Sequence, residues 1–277
     1  MDTVHIVIIC VLGSLLLLFL GYLFLTAPAL RRKSEIIEFT KYKYAHRGLH
    51  GEGAAENSLT AFRRAVEAGY GIELDVRLSK DGELVVFHDD TLNRVTGETG
   101  RVDGRTYSEL KEIRLLGTED TVPLFSDVLA LVDGKIPLLI ELKEDAGKYG
   151  VTEKTLEILK GYNGKYIIES FNPLAIGRVK KLAPEVLRGV LSMNFLKEEQ
   201  YRTPIHFLLQ NLMLNAVARP HFIAYNHSQH KNAAFRLVKT LFGAVTFAWT
   251  VSSKKEEAEA FAHGFSTVIF ENYHSSL

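Results

Sequence analysis

Cysteine is almost absent. The 277 residues include one, Cys10, inside an apolar stretch, so no disulfide can form within the chain and cysteine usage gives no argument for an oxidising compartment. An excess of charge is also lacking. Lys and Arg number 33, and so do Asp and Glu. That balance, with no basic tail, excludes the electrostatic footprint of a nucleic-acid binder. No internal repeat and no low-complexity segment is present, which removes solenoids and disordered arrays. No Gly-x-Gly-x-x-Gly follows the first strand candidate, which argues against a dinucleotide fold.

What is present begins with one long apolar run. Val4 to Leu25 is interrupted only by His5 and Ser14. At about 1.5 Å per residue it can cross a bilayer core of about 30 Å. A secretory signal peptide would carry a basic region before a shorter apolar core. Here Asp2 precedes the run, while Arg31, Arg32 and Lys33 follow it, with Lys41 and Lys43 beyond. Basic residues favour the cytoplasmic side of a membrane helix. The expectation is an uncleaved anchor over residues 1–30, a linker over 31–41, and a catalytic domain over 42–277 on the cytoplasmic side of the cell membrane, held by this single span.

The 42–277 stretch is long enough for one large core. Short apolar strand candidates recur at Tyr44–Arg47, Ile72–Val76, Pro137–Leu142, Tyr166–Phe171, Leu187–Leu191, Phe222–Tyr225, Val245–Val251 and Thr267–Phe270, each followed by a helical stretch. Strands alternating with helices predict a parallel sheet, and eight predict a closed α/β barrel, the (β/α)₈ or TIM barrel. Leu84–His88 breaks the alternation. Only Ser79-Lys80-Asp81-Gly82-Glu83 separates it from the second strand, and Asp-Gly is a tight-turn signal that joins antiparallel neighbours. It opens a small insertion after the second barrel strand, about residues 81–134, with a helix expected over Tyr107–Leu116. Ahead of it, Asn57 or Ser58 can cap a helix whose Leu59, Phe62, Ala65 and Val66 share one face and which Gly69 stops.

Three clusters carry chemistry: His46-Arg47-Gly48 with Glu56-Asn57-Ser58; Glu73-Leu74-Asp75-Val76 with His88-Asp89; and Glu141-Leu142-Lys143. Charged residues inside apolar strands are costly unless paired or metal-bound. Glu73 and Asp75 alternate onto one face, as do Glu141 and Lys143. Three carboxylates at one barrel mouth repel one another, and a hard divalent cation, Mg²⁺ or Ca²⁺, resolves that repulsion. A cation beside the metal suits an anionic substrate, and His46 and His88 can supply an acid and a base. Each cluster alone also reads as a structural ion pair, and a lone histidine as structural. Their joint placement at strand ends, where barrels build active sites, favours the functional reading.

Taken in order, His46-Arg47-Gly48, Glu56-Asn57-Ser58, Ala61-Phe62, Glu73-Leu74-Asp75-Val76, Lys80-Asp81-Gly82, His88-Asp89, Arg94, Thr96-Gly97, Glu141-Leu142-Lys143, Ser170-Phe171 and Trp249-Thr250 resemble the glycerophosphodiester phosphodiesterase signature. The resemblance runs from Tyr44 onward. It implies a barrel with an insertion that hydrolyses glycerophosphodiesters to glycerol 3-phosphate and an alcohol. It places Glu73, Asp75 and Glu141 on the metal, His46 and His88 as acid and base, Arg47 and Lys143 on the phosphate, Asn57 near the metal, and Trp249 in the substrate site. It further implies attack of the glycerol 2-hydroxyl on phosphorus and a cyclic phosphate opened by water. Three positions depart from the family's pattern. Ala55 stands where Pro is usual, Glu169 where Gln is often found, and Phe270-Glu271 where Thr-Asp is common.

Two other functions compete. One is lysophospholipase D-type hydrolysis of lysophospholipids at the membrane; the other is a catalytically silent, membrane-tethered binding module, against which the intact carboxylates and histidines argue. An apolar stretch from Ile205 to Val217 is long enough for three helical turns, with Phe207, Leu208, Leu212 and Ala216 on one face. Two expectations follow for it: a helix buried under another segment, or one lying in the bilayer surface beside the mouth and favouring a lipid substrate.

Overall fold

The computed structural model describes residues 2–144 and 150–275. In chain order its elements are α1 (Thr3–Thr26), α2 (Lys33–Phe39), β1 (Tyr44–Ala45), α3 (Leu59–Ala68), β2 (Gly71–Leu78), β3 (Leu84–Val86), α4 (Asn93–Thr96), α5 (Tyr107–Leu110), α6 (Phe125–Val132), β4 (Leu138–Leu142), α7 (Val151–Leu159), β5 (Tyr166–Ser170), α8 (Pro173–Leu182), β6 (Arg188–Ser192), α9 (Pro204–Gln210), α10 (Asn215–Ala218), β7 (Phe222–Asn226), α11 (Ala233–Leu241), β8 (Val245–Val251), α12 (Lys254–Ala262) and β9 (Thr267–Phe270). The sheet closes because β1 pairs in parallel with both β2 and β9. Eight strands are parallel, and β3 runs antiparallel beside β2 with Val76 opposite Val86. This is the expected (β/α)₈ barrel with an extra strand.

Strand alternation sorts the side chains. Leu74, Val76, Leu138, Ile140, Leu142 and Ile168 turn outward and bury against the helices. Tyr44, Leu139, Ile167, Phe222, Val245, Phe247 and Ile269 turn inward. Each such burial contributes about 1.5–3 kcal/mol. α2 forms within the stretch expected as a linker, and its Ile36 and Phe39 join the inward cluster. The excursion after β3 packs on itself through Val85, Phe87, Leu92, Val95, Val102, Leu110 and Val122. α6 belongs instead to the barrel's outer layer, with Phe125, Val128 and Val132 buried there.

Two helices are shorter than expected. The Tyr107–Leu116 helix ends at Leu110: Ile113 and Leu115 are buried in the excursion's own core, and Leu116 turns to a φ of 49°. The 205–217 stretch breaks into α9 and α10 at Leu212, whose φ is 55°, so Phe207, Leu208, Leu212 and Ala216 share no helical face. Leu212 is buried while Ile205 and Phe207 are exposed, so α9 is not a buried helix.

α1 has the length and composition of a membrane span or of a signal sequence. Its carboxyl end is held by α10 and the turn into β7: Asn215 Nδ2 donates to Thr26 O at 2.8 Å, Arg219 Nη1 to Ala27 O at 2.8 Å, and Ala29 N to Pro220 O at 2.8 Å. That is the amino rim of the strands. α9 sits at the carboxyl rim, where Ser192 at the end of β6 donates to Leu209 O at 3.1 Å.

Candidate active site

The site grows from the carboxyl ends of β1, β2 and β4. After Ala45 the backbone turns sharply, with φ of 54° at Arg47 and 79° at Gly48. A Cβ at Gly48 would lie 2.9 Å from both Ala61 Cβ and Phe62 Cδ1, so only glycine lets this turn rest on α3. The turn is tied inward: Arg47 N donates to Glu73 Oε2 at 2.8 Å, and Asn57 N to Arg47 O at 2.9 Å. Ser58, not Asn57, caps α3, its Oγ accepting from Ala61 N at 3.1 Å. Asn57 is thereby freed for the site, and its Nδ2 donates to Asp75 Oδ2 at 2.7 Å.

Glu73 and Asp75 face inward from β2, and Asp75 is in register with Glu141 of β4. All three are buried, and each places an oxygen within 4.8 Å of the others. Lys143 Nζ lies 2.9 Å from Asp75 Oδ1 and 2.6 Å from Glu141 Oε1. Arg47 reaches Glu56 at 2.7 Å and Asp75 at 3.5 Å, and Arg94 closes the outer side by binding Glu56 and Asp89, each at 2.7 Å.

Each histidine is pinned through Nδ1 by a carboxylate. His46 meets Glu271 Oε2 at 2.6 Å, and its Nε2 is 4.0 Å from Glu73. His88 meets Asp89 Oδ1 at 2.6 Å. If Nδ1–H donates in each pair, both Nε2 atoms are acceptors in the neutral rings. His46, Arg47, Glu73, His88, Glu141, Glu169, Phe171 and Trp249 line one pocket. Trp249 packs edge-on to Phe171 at 5.3 Å, and Phe171 to Phe195 at 6.2 Å. Thus every residue singled out from the sequence lies in or against one mouth: His46, His88, Arg47, Lys143, Asn57, Trp249, Glu73, Asp75 and Glu141. Glu271 was noted only as a departure from the family's pattern, and His50, 3.8 Å from it, was not noted at all; neither was assigned to the site. Glu271 immediately follows the last barrel strand, the position that marked the other clusters, and could have been found by that rule.

The electrostatics are divided. Burial, then the charges of Asp75 and Glu141, push Glu73 well above the usual carboxylate range. Burial lifts Glu141 to about 7, against the pull of Lys143. Burial works the same way on Asp75, but Lys143, His88 and Arg47 override it and hold the group well below its ordinary value. Burial lowers His46, opposed by Glu271, and lowers His88 to about 4. Three buried carboxylates, two of which resist ionising, offer hard oxygens that fit a divalent cation.

Fold and site together are those of a barrel enzyme that gathers carboxylates, imidazoles and fixed cations at one mouth. The chain matches the Glycerophosphoryl diester phosphodiesterase family over residues 46–273 and belongs to it, which makes it a phosphoric diester hydrolase. It is 34% identical over 244 residues to the glycerophosphodiester phosphodiesterase of Caldanaerobacter subterraneus subsp. tengcongensis, covering 82% of this chain and 93% of that one. The lysophospholipase D GDPD1 of Rattus norvegicus is 24% identical, with 93% and 91% covered. Among solved structures, the Thermotoga maritima glycerophosphodiester phosphodiesterase superposes with a TM-score of 0.65 at 28% identity, covering 83% and 94%. An Oleispira antarctica phosphodiesterase in complex with the product sn-glycerol-3-phosphate gives 0.69 at 24%, covering 84% and 93%, a likeness of fold.

Proposed function

We propose that this chain hydrolyses glycerophosphodiesters to glycerol 3-phosphate and an alcohol, with His46 and His88 as acid and base. The observation that carries the reading is the pair of imidazoles, each held through Nδ1 by a carboxylate, lining one pocket with three clustered buried carboxylates. Glu73, Asp75 and Glu141 would hold the cation, Mg²⁺ or Ca²⁺. When bound, such an ion neutralises negative charge developing on the phosphoryl oxygens. Arg47 and Lys143 bind the phosphate as fixed positive charges. Asn57 orients Asp75 from beside the cluster. One imidazole takes the proton of the glycerol 2-hydroxyl as its oxygen attacks phosphorus, and the other protonates the departing alkoxide. Their roles then reverse as water opens the cyclic phosphate.

A second reading, lysophospholipase D-type hydrolysis, draws support from the aromatic series Trp249, Phe171 and Phe195 beside the pocket. It also draws on relatives that bear that name. We place α1 across the cell membrane with the barrel on the cytoplasmic side, on the strength of Arg31, Arg32 and Lys33. The full chain in detergent, offered glycerophosphocholine, glycerophosphoethanolamine, glycerophosphoglycerol and lysophospholipids, tests both readings. Release of glycerol 3-phosphate from the soluble diesters supports the first. Turnover only of substrates with a long acyl chain supports the second, and no turnover of any refutes both.

A further inference from the structure

Glu169 is a fourth carboxylate at this mouth, and nothing in the chemistry above uses it. β5 pairs with β4 so that Glu169 is in register with Glu141, itself in register with Asp75. Residues in register on neighbouring strands face the same way, so Glu169 points into the barrel at the level of the carboxylate cluster. It is 1% exposed and lines the same pocket. Its Oε2 has no hydrogen-bond partner among the described residues. An unpaired buried carboxyl oxygen is costly and calls for a ligand. The oxygens that already converge within 4.8 Å belong to Glu73, Asp75 and Glu141. Glu169 stands outside that group, one strand further round the same mouth, and would join it by turning its side chain toward a bound ion.

Resting on the metal reading above, we infer that Glu169 supplies a further oxygen to the cation's shell and tilts this site toward Ca²⁺. Ca²⁺ takes six to eight oxygens in flexible geometry, whereas Mg²⁺ demands a compact octahedron and keeps several waters. A further carboxylate on the neighbouring strand suits the larger shell.

Trp249 is the chain's one tryptophan and lines this pocket, so its fluorescence reports occupancy without turnover. The full chain in detergent, stripped with chelator, is titrated with Ca²⁺ and with Mg²⁺ as the unaltered protein, Glu169→Gln and Glu73→Gln. The unaltered protein should bind Ca²⁺ more tightly. Glu169→Gln should lose about tenfold or more in Ca²⁺ affinity, the scale of removing a supporting ligand, while Mg²⁺ affinity changes less than about threefold. The retained Mg²⁺ response also shows that the variant is folded. Unchanged Ca²⁺ affinity, or an equal loss for both ions, overturns the assignment of Glu169. If Glu73→Gln still binds both ions as the unaltered protein does, the metal centre itself is misplaced, and both readings fall.

Discussion

Glu73 and Asp75 stand two residues apart on one strand face, yet their environments pull them in opposite directions. From the sequence, neutralising either looks like relief of the same repulsion. The structure separates them. Glu73 favours its protonated form in the fold, and a raised carboxyl favours folding less and less as pH rises through its shifted value. Metal-free Glu73→Gln should therefore gain stability over the unaltered protein as pH rises, read as a widening difference in Tm in chelator. Asp75 is bound by Lys143 and by Asn57, with Arg47 close by. Asp75→Asn leaves the buried Lys143 with Glu141 alone and removes the charge facing Arg47, and should lose about 3 kcal/mol, the scale of breaking a buried pair. Both variants should lose most turnover; near-normal rates at saturating metal would contradict the cluster's role. His88 is depressed to about 4 from an ordinary 6.5, so its contribution to stability is complete above 6.5 and drains away as pH falls toward 4. His46→Ala and His88→Ala should each cost about 10²-fold in rate and remove one limb of the pH profile. These residues were legible because charge inside an apolar strand is conspicuous. Glu169 drew notice only as a departure from the family's pattern, since one acidic residue in a strand gives no sign of facing three others.

At the scale of elements, what was legible had a period and a boundary. The eight parallel strands and the fold-back of β3 follow from short apolar runs and an Asp-Gly turn. The Tyr107–Leu116 and Ile205–Val217 stretches were misread as single helices because apolar spacing alone does not reveal a backbone reversal. Leu116 and Leu212 both adopt positive φ, which leucine enters only when its surroundings impose it. The β1–α3 turn is the converse case, where glycine marks the reversal openly. Gly48→Ala should force Ala61 and Phe62 apart or shift Arg47, costing about 1–3 kcal/mol. It should also reduce turnover by displacing His46. Thermal unfolding and rates together check this, and a Gly48→Ala enzyme with native values of both would remove the turn from the account.

For the whole molecule, the carboxyl end of α1 and the mouth lie at opposite rims of the barrel. α1 is gripped by Asn215 and Arg219 below, and α9 closes on Ser192 above. With α1 across a membrane as proposed, this arrangement speaks against α9 entering the same bilayer beside the mouth, and suits a substrate arriving from the aqueous side. If the barrel faces the cytoplasm, as proposed, protease added to intact cells should leave it uncut; digestion without permeabilisation would reverse the topology. The measurement closest to the central claim is product release from glycerophosphocholine by the full chain, first stripped of metal and then resupplied with Mg²⁺ or Ca²⁺. The account requires glycerol 3-phosphate and free choline to appear only after a divalent cation is restored, and not with Glu73→Gln. Undiminished release in chelator, or release of phosphocholine and glycerol, would contradict it.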